Sequence, residues 1–225
     1  AAAYDATQQA IACAEYATAT EKALITALAR RYPARVPASD MNAWNDDYAD
    51  AMRKVYHAFR EDLDVVALFA ESIMNCTPWA MWDLKTGEVA QGADTAEAIE
   101  ALEGAFLLPG AMQHAGLLHM YIHLMEMSPY PERALSAADA LRALVPDAGH
   151  LVHMPTHIDV LCGHYERVVS SNEAAIVAHR EFLPPEGALN FPSPYPSHNC
   201  HRKCFGAMFQ LGTAAVSGSA VTPGV

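Results

Sequence analysis

His119-Met120-Tyr121-Ile122-His123 and His153-Met154-Pro155-Thr156-His157 are the two stretches on which the reading of this chain turns. The second follows the first by 34 positions, the length of a helix–turn–helix repeat. The register extends outward from both. Leu117 recurs as Leu151, Met120 as Met154, Glu132-Arg133 as Glu166-Arg167, Ser136 as Ser170 and Ala140 as Ala174. Within each pair the histidines are spaced i, i+4, which stacks two imidazoles on one face of a helix. Two such helices side by side would form a patch of four imidazoles.

Ten of the eleven histidines lie from His114 onward, so the chemistry is expected in the second half of the chain. With 225 residues, 52% of them hydrophobic and 18% charged, the chain can bury a substantial core. No stretch is long and apolar enough to span a membrane, so no membrane partner is expected. A formal charge of −12 repels phosphate backbones, and no basic patch is interleaved with aromatics, so nucleic-acid binding is not expected either. Metal ions or cationic partners fit better. Five cysteines form no regular disulfide framework and leave at least one unpaired within the chain. Cytoplasmic is therefore the default compartment. The opening Ala1-Ala2-Ala3 lacks a methionine, so removal of a signal peptide and an extracellular location stay open.

Apolar positions at helical spacing predict helices throughout. Residues 5–32 read as one long helix or two short ones, ended by Pro33 and Pro37. Ser39 and Asp40 are cap candidates for a helix from Trp44 to Phe59, and Asp62 precedes one over Leu63–Asn75 whose buried face is Val65, Val66, Leu68, Phe69, Ile73 and Met74. An irregular stretch from Trp79 to Gly92 contains a turn at Lys85-Thr86-Gly87-Glu88, and a helix over Thr95–Phe106 follows. Four helices come next, His114–Met127, Pro131–Leu144, Ala148–Cys162 and Tyr165–Phe182, joined by connectors short enough for antiparallel hairpins. A proline-rich loop over Leu183–Ser197 leads to a last helix from His198 to about Leu211. No strand pattern stands out. The expected division is an N-terminal helical part (1–110), two 34-residue-type hairpins with a final helix (111–212), and a small-residue tail (213–225) packed on a neighbouring subunit.

Leu161-Cys162-Gly163-His164-Tyr165-Glu166-Arg167-Val168, with Asn172 and Ala175, resembles the turn and second helix of a tetratricopeptide repeat. Val168 departs from the usual small residue, which Ala134 keeps one repeat earlier. Over residues 20–212 the chain resembles a poorly characterised family of tetratricopeptide-like proteins of bacteria and fungi. The likeness rests on Glu21-Lys22-Ala23-Leu24-Ile25, on Leu68 to Asn75 with Pro78-Trp79, on Ala148 to Ile158, and on His198-Asn199-Cys200-His201 as a His-Asn-x-His element. It implies an all-α fold of helical hairpins stacked as a right-handed α-solenoid, with both histidine pairs on the wall of the inner groove. It brings no established reaction. Members of the family continue with further helices where this chain turns to its tail, so an apolar solenoid end that needs a cap or partner is expected.

His119, His123, His153, His157, His198 and His201 are thus the candidate metal ligands. Imidazoles without thiolate suit Zn or Cu. Glu126, three residues after His123, is the candidate catalytic carboxylate, as general base, ligand or orienting partner. The bland alternative is that groove histidines hydrogen-bond one another and the backbone. Pro155 predicts a kink between His153 and His157, either to aim ligands or merely to bend the helix for packing. Cys200 and Cys204 read as buried thiols before ligands, Trp44, Trp79 and Trp82 as core or groove-wall aromatics, and His57, His164 and His179 as surface or capping residues. The function expected is a histidine-rich metal protein, as a metal-dependent oxidase or hydrolase of a small molecule. The alternative is a scaffold that self-associates head to tail into an oligomer or filament. A small molecule or peptide in the groove is the other expected partner.

Overall fold

The structure, a computed structural model, describes residues 1–186 and 195–210, without the side chains of 182–186 and 195. It divides into two compact units, Ala1–Met120 and Tyr121–Val225. Among the described residues it is all-α, with no strand and one isolated bridge between Trp82 and Val89. No described helix is long and apolar enough to cross a membrane. The expected tail lies outside the described residues.

In the first unit each helix packs on the next: α1 (Ala2–Cys13), α2 (Ala19–Arg31), α3 (Asn42–Ala58), α4 (Leu63–Met74) and α5 (Thr95–Ala105). The stretch 5–32 is two helices because Thr18 starts the second. Its hydroxyl accepts from the Glu21 N–H and the Glu21 carboxylate accepts from the Thr18 N–H, a reciprocal cap that satisfies two orphan donors. Asp62 caps α4 by accepting from the N–H groups of Asp64 and Val65. Val65, Val66, Phe69 and Ile73 are buried as their spacing predicts, whereas Leu68 is exposed. Trp79 corrects the aromatic expectation: it is 78% exposed and takes a left-handed φ of 55° just after Pro78, while Trp82 is buried. His114 caps the next helix, α6 (Ala115–Met125), accepting the Leu117 N–H on Nδ1 and meeting Asp64 through Nε2 at 3.0 Å.

The second unit contains the end of α6 and then α7 (Leu135–Leu141), α8 (Gly149–His153), α9 (Pro155–Leu161), α10 (Tyr165–Glu186) and α11 (Tyr195–Phe209). Helix α9 packs between α7 and α10, and α10 also holds α8 and α11. The predicted kink is a one-residue interruption at Met154, whose own dihedrals stay helical: α8 ends at His153, α9 begins at Pro155, and the His157 N–H reaches the Met154 carbonyl, at 3.1 Å. Pro155 has no N–H to offer Leu151. Gly163 turns the chain into α10 at φ 78°, a conformation that costs a side-chain-bearing residue about 1 kcal/mol or more. The loop expected over Leu183–Ser197 is helical at both ends. Helix α10 runs on to Glu186, and α11 starts at Tyr195, where Pro196 is tolerated because a first-turn residue has no intrahelical acceptor for its N–H.

Candidate metal centre

The second unit gathers imidazoles from three helices. His153 closes α8, His157 sits in the first turn of α9, and His198 lies near the start of α11. The Nε2 atoms of His153 and His157 are 2.9 Å apart, and that of His198 is 3.1 Å from His153. All three offer a nitrogen within 4.8 Å of one another. His153 is buried, His157 half-buried and His198 exposed, so the cluster is sealed on the α8 side and open on the α11 side.

Hydrogen bonds behind the rings fix which nitrogens face inward. The Asn172 side chain donates from Nδ2 to the Val168 carbonyl at 2.7 Å, which turns Oδ1 towards His153. His153 therefore donates Nδ1–H to Asn172 Oδ1, at 2.7 Å, and presents a bare Nε2. His157 donates Nδ1–H to the Glu126 carboxylate and likewise turns Nε2 inward. Burial first, then the charge of His157, pushes the His153 pKa down to about 3. At neutral pH its Nε2 is a lone pair. Two lone pairs 2.9 Å apart repel unless a cation lies between them, either a proton carried by the partner ring or a metal ion. Nitrogens bound tetrahedrally to one Zn at about 2.0–2.1 Å stand about 3.3 Å apart, so the observed separations need to open by only a few tenths of an ångström.

Glu126 accepts twice. Its Oε1 receives the Nδ1–H of His123 at 2.8 Å and its Oε2 that of His157. Burial raises its pKa, but the two imidazole donors outweigh this and bring it down to about 2. The carboxylate is ionised and both oxygens are occupied. Repeat-related histidines thus share one anion. The ring of His123 lies 6.2 Å from that of His157 and 6.3 Å from that of His150, and His150 is 6.4 Å from His153. Burial, then neighbouring imidazoles, pushes His150 down to about 4.

Of the expected ligands, His153, His157 and His198 come together, with His123 beside them through Glu126. His119 stands one turn before His123 on α6. His201 is exposed on α11 and is not part of the converging set. Cys200 and Cys204 are exposed, not buried. His179, expected as a surface or capping residue, is buried at the contact of α10 with Gly149 of α8. Asn172, which orients the most buried ligand, had no signal of its own beyond its place in the repeat. Arg202, one turn after His198, brings Nη2 to 3.4 Å from His157 Nδ1 and was also missed.

Comparison with protein-family models, with curated proteins and with solved structures finds no match.

Proposed function

We propose that this chain is a metal protein whose ligands are His153, His157 and His198, with Zn or Cu as the ion and a tetratricopeptide-like stack of hairpins as the scaffold. The observation that carries the reading is the pair of inward-facing Nε2 atoms of His153 and His157, 2.9 Å apart. Asn172 and Glu126 each hold the outer N–H of a ligand, the arrangement that fixes tautomer and orientation in histidine metal sites. An all-nitrogen set with no thiolate favours Zn or Cu over softer-ligand centres. Three ligands leave at least one position for water or a small molecule. Zn there would supply a hydroxide near neutral pH for hydrolysis, and Cu would supply an oxidation. In either case Glu126 acts through His123 and His157, since both its oxygens are engaged and its pKa of about 2 makes it a poor base.

The test is elemental analysis of protein purified without chelator or histidine-affinity resin, beside a His153→Ala/His157→Ala variant. Near-stoichiometric Zn or Cu that disappears in the variant supports the centre. Metal-free protein that also fails to take up added Zn or Cu overturns it.

A self-associating scaffold is favoured by a different observation. Phe205, Met208 and Phe209 are exposed at the end of α11. Such a patch marks contact surfaces when it is contiguous. Sedimentation that gives a monomer at all concentrations would remove this second reading.

A further inference from the structure

We infer that the three-histidine centre takes a small carboxylate ligand, one oxygen on the metal and the other on the Arg202 guanidinium. The inference rests on the metal reading above and adds the class of molecule that fills the open position.

Arg202 is the observation. Arg35, Arg53, Arg142 and Arg167 each meet a carboxylate within 3.0 Å, as a chain with 26 acidic and 14 basic residues readily allows. Next to Arg202, Lys203 pairs with Glu173. No ion pair joins Arg202 to a carboxylate among the described residues. Its nearest polar partner is His157 Nδ1, at 3.4 Å, and that nitrogen spends its proton on Glu126 and has no lone pair to give. Arg202 is half-buried and one helical turn from His198, on the same side of α11. A guanidinium is thus held beside the His157 ring, whose near nitrogen cannot accept from it.

Charge and reach both favour an anion. A divalent ion on three neutral imidazoles, with Glu126 and Arg202 cancelling, leaves a net charge of about +2 at the centre. From an ion about 2.1 Å from Nε2, across the ring to Nδ1 and on to Nη2, the path is at most about 8 Å. A carboxylate bonded at about 2.1 Å to the ion and about 2.8 Å to a guanidinium spans about 7 Å. The planar fork of arginine matches a carboxylate better than a lysine does. His198 is exposed, so a small molecule can reach the position from the α11 side.

The experiment uses the full chain loaded with Co(II), whose visible bands report a new oxygen ligand, titrated with acetate and, as a neutral control, acetamide. Wild-type protein is expected to respond to acetate and not to acetamide. Arg202→Met is expected to bind Co(II) with the same stoichiometry and to lose about tenfold or more in acetate affinity, with Arg202→Lys between the two. Equal acetate affinity in Arg202→Met overturns the inference, as does a Co(II)-loaded wild type that ignores acetate or responds equally to acetamide. Failure to take up Co(II), Zn or Cu at all is read separately, in the metal titration, and would overturn the centre and this inference together.

Discussion

His153 donates its Nδ1–H to Asn172 across 2.7 Å, from the end of α8 to the middle of α10. Because the Asn172 amide is itself anchored on the Val168 carbonyl, the bond sets the tautomer of a buried histidine and not merely its position. Asn172→Ala should therefore lower metal affinity about 10–100-fold while leaving the three ligands present. Asn172→Asp, which keeps an acceptor, should retain most of it. Competition against a chelator of known affinity measures both. Unchanged affinity in the alanine variant would mean that Asn172 serves packing alone.

Acid should destabilise the metal-free chain, in two stages. His153 and His150 titrate at about 3 and about 4 in the folded chain against an ordinary 6.5, so below pH 6.5 the unfolded chain binds more protons and stability falls. Glu126 titrates at about 2 against an ordinary 4.5, so its contribution is present above pH 4.5 and is lost as pH drops towards 2. Thermal melts from pH 8 to pH 3 should show Tm declining from about pH 6.5 downward. His150→Gln/His153→Gln should flatten the upper part of that decline and Glu126→Gln the lower part. A Tm that is level between pH 6.5 and pH 4 would contradict the buried neutral imidazoles.

Two glycines let the ligand helices approach α10. A Cβ at Gly149 would stand 2.8 Å from the His179 ring and 2.9 Å from the Ala175 carbonyl oxygen. At Gly206 it would meet Val168 Cγ1 at 2.7 Å. Gly149→Ala has a backbone atom in its way, so α8 itself must move, at a cost of about 1–3 kcal/mol. Gly206→Ala should push α11 outward, and with it His198. Denaturant melts are expected to show the first loss, and metal titration of Gly206→Ala a weaker site with its stoichiometry kept. Wild-type values for both would mean that the helix contacts are looser than these distances.

The histidine pairs were legible because periodicity survives any packing: 34 positions separate His123 from His157, and both now donate to one carboxylate. Glu126 was legible for the same reason, three residues from His123 on one helix face. The roles of Asn172 and Arg202 depend on which helices pack, 19 residues from His153 in one case and 45 from His157 in the other, and no local pattern carries that. His201 looked equivalent to His198 because i, i+3 spacing puts both on one face and does not show which of the two imidazoles meets His153. The interruption at Met154 was foreseeable from Pro155 alone, since a missing N–H is a property of one residue.

Asp159 has no exposed side-chain surface, and Arg142 reaches it with Nη1 at 2.9 Å from Oδ2 and Nη2 at 3.2 Å from Oδ1. The pair ties α9, which carries His157, to the chain just after α7, and Arg142 also donates to Ser171 of α10 at 2.7 Å. Burial raises the Asp159 pKa, and Arg142 is the main influence that lowers it again. Arg142→Met would strand a buried carboxylate, so it should cost about 3 kcal/mol or more, with only His164 Nδ1, 3.7 Å from Oδ1, left beside it. Replacing both partners is a different matter. Arg142→Met/Asp159→Leu removes the charge together with its counter-charge and should recover much of the loss, because an apolar pair needs no desolvated partner. Equilibrium unfolding of the two single variants and the double one gives the coupling directly. Additive losses would mean that the two side chains act independently, and that the clamp on the His157 helix comes from packing instead.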